Sequence, residues 1–351
     1  MHNYPADCWW VAAIAEEITR TPLCRWLLEQ RIVLFRTDAG DLVALEDRCA
    51  HRWAPLSQGK VIGDEIACPY HGFRYDAHGR CTHIPTQASV PARVRIRSFP
   101  VREHGTFIWV WTGDPEKADP ALLPEIPWFT DPGYLQIRRY YGELRCNYML
   151  LHENVLDLTH IPHLHGDSVN LEGLQQPAAE VRITDNTVTY DLKIADMPLD
   201  AFMATPMDVE VGTQANFRTW GTFASPACHF SGVDITDCAW GERTDYRFRG
   251  MHCVTPISPN LCHYWWAQAQ DYGHQLDDLS EFMNPILEAT YKQDRDVLEA
   301  IQMTIDRDIR GNSAPEYLRA SDRAPVAARR ILRRMLEKES SPTGPRAGTT
   351  A

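Results

Sequence analysis

Two short runs constrain this chain more than anything else in its 351 residues: Cys49-Ala50-His51 and, after sixteen intervening residues, Cys68-Pro69-Tyr70-His71. Each run offers one thiolate and one imidazole, and Pro55, Gly59, Pro69 and Gly72 mark both as loops. The flanking stretches 32–35, 42–45, 73–75 and 107–111 read as short strands. A structural zinc site also takes two sulfurs and two nitrogens, but zinc fingers set Cys with Cys and His with His. One of each per loop suits a two-iron cluster whose thiolates bind one iron and whose imidazoles bind the other. Exchanging two anionic thiolates for neutral imidazoles raises the reduction potential. Cys49, His51, Cys68 and His71 are therefore assigned to a [2Fe–2S] cluster held by two loops of a small β-domain.

The second dense constellation is 152–165, with His152, His160, His163 and His165 inside fourteen residues. Leu150, Leu151, Val155, Leu158 and Ile161 follow a helical face, and Pro162 is expected to break or kink that helix just after Ile161. His160 and His165 lie five apart, so such an irregularity would help bring both imidazoles to one metal. Two His and one carboxylate on one face of a metal form the ligand set of non-haem Fe(II) oxygenases. The carboxylate is expected from 278–308, where Leu287, Tyr291, Leu298, Ile301 and Ile305 recur at helical spacing. Asp294 falls on that stripe, and an acid on a buried face needs a partner such as a metal. Asp296 and Glu299 point off it, and Asp306 and Asp308 read as a solvated helix end. His152 and His163 read as ordinary core or surface histidines.

Composition narrows the class. The 47 acidic residues outnumber the 35 basic ones for a net charge of −12, with no basic block of the kind that tracks phosphates, so nucleic acid is not an expected partner. No apolar run of membrane-spanning length occurs, and the opening residues lack the basic start of a signal peptide, which predicts a cytoplasmic location. The 10 cysteines need not pair in a reducing compartment.

These motifs resemble the oxygenase components of Rieske non-haem iron enzymes over residues 4–335. The chain is most similar to the group that includes vanillate O-demethylase, toluenesulfonate methyl-monooxygenase and dicamba O-demethylase. The residues carrying the resemblance are Cys8-Trp9-Trp10-Val11-Ala12-Ala13, Pro22-Leu23, the cluster ligands, Asn154-Val155-Leu156-Asp157-Leu158-Thr159-His160, His165, Thr255-Pro256 and Gln293-Asp294-Arg295. The resemblance implies an α+β architecture. An N-terminal all-β Rieske [2Fe–2S] domain (1–120) would precede a helix-grip type antiparallel sheet with covering helices (121–338), and a tail from 339 would be disordered.

It further implies a mononuclear Fe(II) on His160, His165 and Asp294, and a head-to-tail homotrimer fed by a separate NAD(P)H-dependent reductase or ferredoxin. In that trimer His71 of one subunit would donate to Asp157 of the next, Asp157 would contact His160, and Asn154 would lie near the open side of the iron. The expected reaction uses O₂ to O-demethylate or hydroxylate a small aromatic acid or aryl ether. Ring hydroxylation, or electron carriage alone, are the alternatives. His252 matches a position that can contact an anionic substrate. Trp266 could wall an aromatic ring, although adjacent strand residues face opposite ways, so only one of Trp265 and Trp266 can do so. Glu153-Asn154-Val155-Leu156-Asp157 and His163-Leu164 depart from the group's usual Asp-Asn-Leu-Met-Asp and aromatic-Val wording.

Overall fold

The computed structural model describes residues 4–166, 179–238, 243–310 and 315–340. The N-terminal part is built from short strands in three sheets. Strand β1 (Trp9–Ile14) enters first, and the hairpin strands β2 (Leu23–Leu27), β3 (Gln30–Arg36) and β4 (Leu42–Glu46) follow. A small four-stranded sheet comes next: β5 (Lys60–Ile62), β6 (Glu65–Ala67), β7 (Arg74–Tyr75) and β8 (Cys81–His83). Strands β9 (Val101–His104) and β10 (Phe107–Trp111) return to close a sheet in the order β1-β10-β9. Every residue of β10 is buried, as its unbroken Phe-Ile-Trp-Val-Trp run requires of a strand covered on both faces.

The C-terminal part is one antiparallel sheet of seven strands: β11 (Leu135–Leu144), β12 (Glu180–Ile183), β13 (Val188–Pro198), β14 (Gln214–Ser225), β15 (Cys228–Thr236), β16 (Tyr246–Ser258) and β17 (Leu261–Gln270). Their order is β11-β17-β16-β15-β14-β13-β12. Register puts Phe223, His229, His252 and Trp266 on one face. Helices α1 (Tyr148–Leu156), α4 (Leu279–Arg307) and α5 (Arg323–Ser340) cover that face, and the short α2 (Ile161–Leu164) and α3 (Ala201–Met207) lie between. This is the α+β arrangement expected. No helix among the described residues is long and apolar enough to cross a membrane.

The Rieske-like part packs on the opposite face of the large sheet. Thr255 Oγ1 donates to the Val11 carbonyl at 2.7 Å, and His263 Nε2 bonds the Trp26 carbonyl at 3.0 Å. The β2–β3 turn is Leu28-Glu29, both residues left-handed at φ 51° and 62° without being glycine. A two-residue hairpin turn of that hand normally uses Asn-Gly. Here the main-chain N–H groups of Leu28 and Glu29 donate to Pro256 and Ile257 at the end of β16, which offsets the strain.

One apolar core accordingly runs from Trp10 and Trp109 through Leu151 and Trp265 to Tyr291 and Leu332. The cluster end has its own core around Phe35, Leu45, Ile66 and Tyr75. The expected tail lies outside the described residues from position 341 onward. Glu339 and Ser340 instead close α5, and the Glu339 carboxylate accepts the main-chain N–H groups of Ala6 and Asp7 at 2.9 Å.

Two caps frame α4. Asp278 accepts from Ser280 and Glu281, and Asp308 ends the helix, so the periodic stretch is helical as read. Leu287, Tyr291 and Leu298 are buried as expected, but Ile301 is 40% exposed and Gln302 takes the inward position. Gln302 accepts from Asn147 N, the cap of α1, and so pins the two helices together.

Candidate functional site: two metal centres

At the cluster end, Cys49 and Cys68 are buried while His51 and His71 are exposed. The two imidazole rings lie 4.7 Å apart, and His51 stacks on Phe73. Main-chain bonds shape both loops: Cys49 N to Ala54 O, Trp53 N to Cys49 O, and Gly72 N to Cys68 O. Gly72 is left-handed at φ 71°, and an added Cβ would press on Pro85 at 3.1 Å, so glycine is required there. Tyr75 Oη accepts from Ala50 N at 3.0 Å, leaving its O–H to donate to the Cys49 sulfur 3.2 Å away. Two sulfurs in the core, two imidazoles at the surface and a hydroxyl on one sulfur match the donor chemistry of a mixed-ligand cluster.

The second centre is assembled from distant segments. Helix α1 ends at Asp157, whose backbone is extended (φ −118°, ψ 98°); a 3-10 turn then carries Leu158–His160 into α2. The break therefore comes at Asp157 and not at Pro162, which sits in the first turn of α2 where a missing N–H costs nothing. This arrangement brings the His160 and His165 rings to 5.3 Å. Asp294 projects from α4 between them, its Oδ1 3.6 Å from His160 Nε2 and 3.3 Å from His165 Nε2. All three donor atoms lie within 4.8 Å of one another.

The other ring nitrogens are committed. His160 Nδ1 bonds the Asp157 carbonyl at 2.5 Å, and His165 Nδ1 donates to Gln293 Oε1 at 2.8 Å. Such bonds fix the tautomer and turn the Nε2 lone pairs toward a shared metal. Burial opposes charge on both rings. It prevails at His160, whose pKa falls, whereas the Asp294 carboxylate and then Gln293 outweigh it at His165, whose pKa rises. Asn154 Nδ2 donates to Asp294 Oδ1 at 2.9 Å. Two imidazoles and a carboxylate on one side, with room opposite, fit a mononuclear iron.

The open side faces a cavity of about 210 Å³, smaller than most sites for drug-sized ligands. Val155, Leu158, Phe217 and Phe248 help line it, and among the described residues no Lys or Arg does. His252 and Trp266 both line it, while Trp265 turns to the other face and packs on Tyr141. Tyr264 Oη meets His252 Nδ1 at 2.6 Å, and Ser231 Oγ lies 3.4 Å from His252 Nε2. Burial pushes the His252 pKa down to about 4. Behind it His229 is fully buried, and neither of its nitrogens has a hydrogen-bond partner among the described residues.

His152 is a core residue on the Pro226 carbonyl, and His163 is exposed. The placement of Asp157 differs in one respect from the expectation. It meets His160 through its main-chain carbonyl, while its carboxylate accepts from Thr159 and from Arg319 Nη2 at 3.0 Å. Within the chain no hydrogen bond among the described residues joins it to His71. The sequence reading missed Gln293 as partner of His165, Tyr264 as partner of His252, and Arg319. Only Gln293 left a signal, its place beside Asp294.

A surface-exposed mixed Cys/His cluster site joined to a two-His, one-carboxylate centre over a small apolar cavity defines an oxygenase that receives single electrons and activates O₂. Comparison with known proteins places it more closely. The Rieske [2Fe-2S] domain matches residues 8–100, and the vanillate O-demethylase oxygenase C-terminal domain matches residues 144–338. The chain belongs to this family of Rieske non-haem iron oxygenases, and its cofactors are a [2Fe–2S] cluster and a mononuclear iron.

It is 30% identical to the oxygenase component of dicamba O-demethylase of Stenotrophomonas maltophilia, over 97% of this chain and 100% of that one. It is 31% identical to a putative toluene-4-sulfonate monooxygenase system iron-sulfur subunit of Comamonas testosteroni, over 97% and 99% of the two chains. The crystal structure of dicamba monooxygenase bound to 3,6-dichlorosalicylic acid superposes with a TM-score of 0.87 at 29% identity, covering 97% of this chain and 99% of that one.

Proposed function

We propose that this oxygenase O-demethylates a small single-ring aromatic compound, an aryl ether or aromatic acid, with electrons from a separate reductase or ferredoxin. The observation that carries the reading is the group of His160, His165 and Asp294, which opens onto an apolar cavity sized for one ring. When bound, the cluster supplies single electrons and the ferrous ion supplies O₂ activation. The chain's residues do the rest. His160, His165 and Asp294 hold one side of the metal site and leave the cavity side open, and Asn154 keeps Asp294 turned inward. The apolar walls exclude water, and His252 with Ser231 offers polar contacts that orient the substrate. Hydroxylation of an aryl methyl ether gives a hemiacetal, which releases formaldehyde and leaves a phenol. O₂, two electrons and two protons are consumed, and one water forms.

Cys49, His51, Cys68 and His71 hold the cluster, and the working unit is a homotrimer. In it the exposed His71 of one subunit meets Asp157 of the next, and the Asp157 carbonyl on His160 continues the path. Exposed Trp53 and Tyr70 beside the cluster imidazoles support such a covered surface, since aromatic anchors are enriched in interfaces. A panel of methoxylated and methylated benzoates, phenols and benzamides, with a reconstituted reductase, tests the reaction. Substrate-dependent O₂ uptake with stoichiometric formaldehyde is expected. An ¹⁸O-labelled ring-hydroxylated product without formaldehyde would replace demethylation by ring hydroxylation.

A further inference from the structure

The cluster domain holds a basic stretch within an acidic chain: residues 1–120 as a whole carry a net of −1, and residues 121–351 a net of −11. Between positions 48 and 102 lie nine Arg or Lys and three Asp or Glu, a net of +6 within a total of −12. The other residues therefore carry −18. Inside this basic region a groove of about 400 Å³ borders Cys68 and Gly72, lined also by Lys60, Arg74 and His83. Lys60 and His83 are exposed and Arg74 is half-buried. Neither Lys60 nor Arg74 has a carboxylate partner among the described residues, unlike Arg48 and Arg80, which pair with Glu46 and Asp76.

We propose that the groove of Lys60, Arg74 and His83 is the docking surface for an acidic one-electron donor protein of ferredoxin type. This rests on the reading of the chain as an oxygenase component. A long-range field steers a negatively charged partner to a positive patch and away from negative surface. On this molecule, that directs an acidic donor to the cluster domain and away from the substrate-binding domain. The groove reaches the cluster loops from the Cys68 side, which leaves the tip with His51, His71, Trp53 and Tyr70 for the neighbouring subunit. Each docking transfers one electron: the donor's reduced centre is oxidised and the cluster is reduced. Two dockings supply the two electrons that one O₂ requires.

The test uses the holoprotein and an acidic plant-type [2Fe–2S] ferredoxin, with Kd measured by calorimetry. Wild type is expected to bind on the order of tenfold more weakly at roughly 200 mM than at roughly 50 mM NaCl. Lys60→Glu with Arg74→Glu should weaken binding at low salt by about 30-fold, and Lys60→Gln with Arg74→Gln by an intermediate factor. Arg333→Glu, on exposed α5, should leave it within about twofold. Visible circular dichroism of the cluster must be unchanged in each variant. Absence of wild-type binding, or double-reversal binding within about twofold of wild type, overturns the docking surface. Single turnover of dithionite-reduced protein separates the two ideas: if wild type fails there, the oxygenase reading falls. Loss of the charge dependence with that turnover intact overturns the groove alone.

Discussion

The two metal centres solve opposite problems. The cluster site is local: the residues proposed to hold it come from 49–71, and both imidazoles lie at the surface where another protein can reach them. The iron site is non-local: Asp294 comes from a helix more than a hundred residues beyond His160, and each imidazole is steadied by a second bond. A site that receives electrons needs access, whereas one that handles O₂ needs dryness and fixed geometry.

The largest expected effect is independent loss of the two centres. Cys68→Ser should remove the cluster's visible absorption and keep the mononuclear iron; His165→Ala should do the reverse, and both should end turnover. Metal analysis showing that one substitution empties both sites would break the contrast. Next come the supporting residues. Gln293→Leu should weaken iron binding by about 10–100-fold, because it frees the His165 ring. Asp157→Asn should keep both metals and slow single turnover by a similar factor of roughly 10–100. A near-normal rate would sink the inter-subunit path.

Acid should act on the buried side of the comparison. Burial is the main cause that lowers His152 and His263 to about 4 from a usual value of 6.5. Below pH 6.5 the unfolded chain takes protons that the folded chain refuses until about pH 4. Their contribution is thus complete above pH 6.5 and lost as pH falls toward 4. By pH 5 the loss is about 2 kcal/mol per histidine. Urea unfolding at several pH values checks this, and His263→Gln should flatten the curve. The smallest effect is Arg329→Ala. Arg329 donates to the Glu153 carboxylate and ties α5 to α1, so its loss should cost about 1–2 kcal/mol in chemical denaturation with both metals retained.

How much of this was legible in the sequence follows the same divide. The meeting of the Cys49-His51 and Cys68-His71 loops could be read because their spacing is itself the geometry of two loops. Asp294 was legible because Leu287, Tyr291 and Leu298 mark the inward face of α4. Residues whose roles are side-chain bonds across the fold stayed hidden: Arg319 on Asp157, Tyr264 on His252 and Gln302 on Asn147. The helix break at Asp157 was missed for a local reason. A proline draws attention as the breaker, but Pro162 occupies a first turn, and the Asp157 side chain caps the next segment through Thr159 N. The shared core was hidden too, because the Trp-rich strands β1 and β10 read equally well as the interior of a separate domain.

The left-handed Leu28-Glu29 turn has a further consequence. Its N–H groups are fastened to β16, and Thr255 and His263 add two more ties, so four hydrogen bonds hold the cluster domain to the large sheet at this joint. Breaking them would be the cost of leaning one domain toward the other, so the expected arrangement is a mast and not a swinging arm, with a nearly constant distance between the centres within a chain. If the neighbouring subunit closes that gap, specific activity should fall on dilution below the trimer's dissociation constant while each separated chain keeps its full complement of iron.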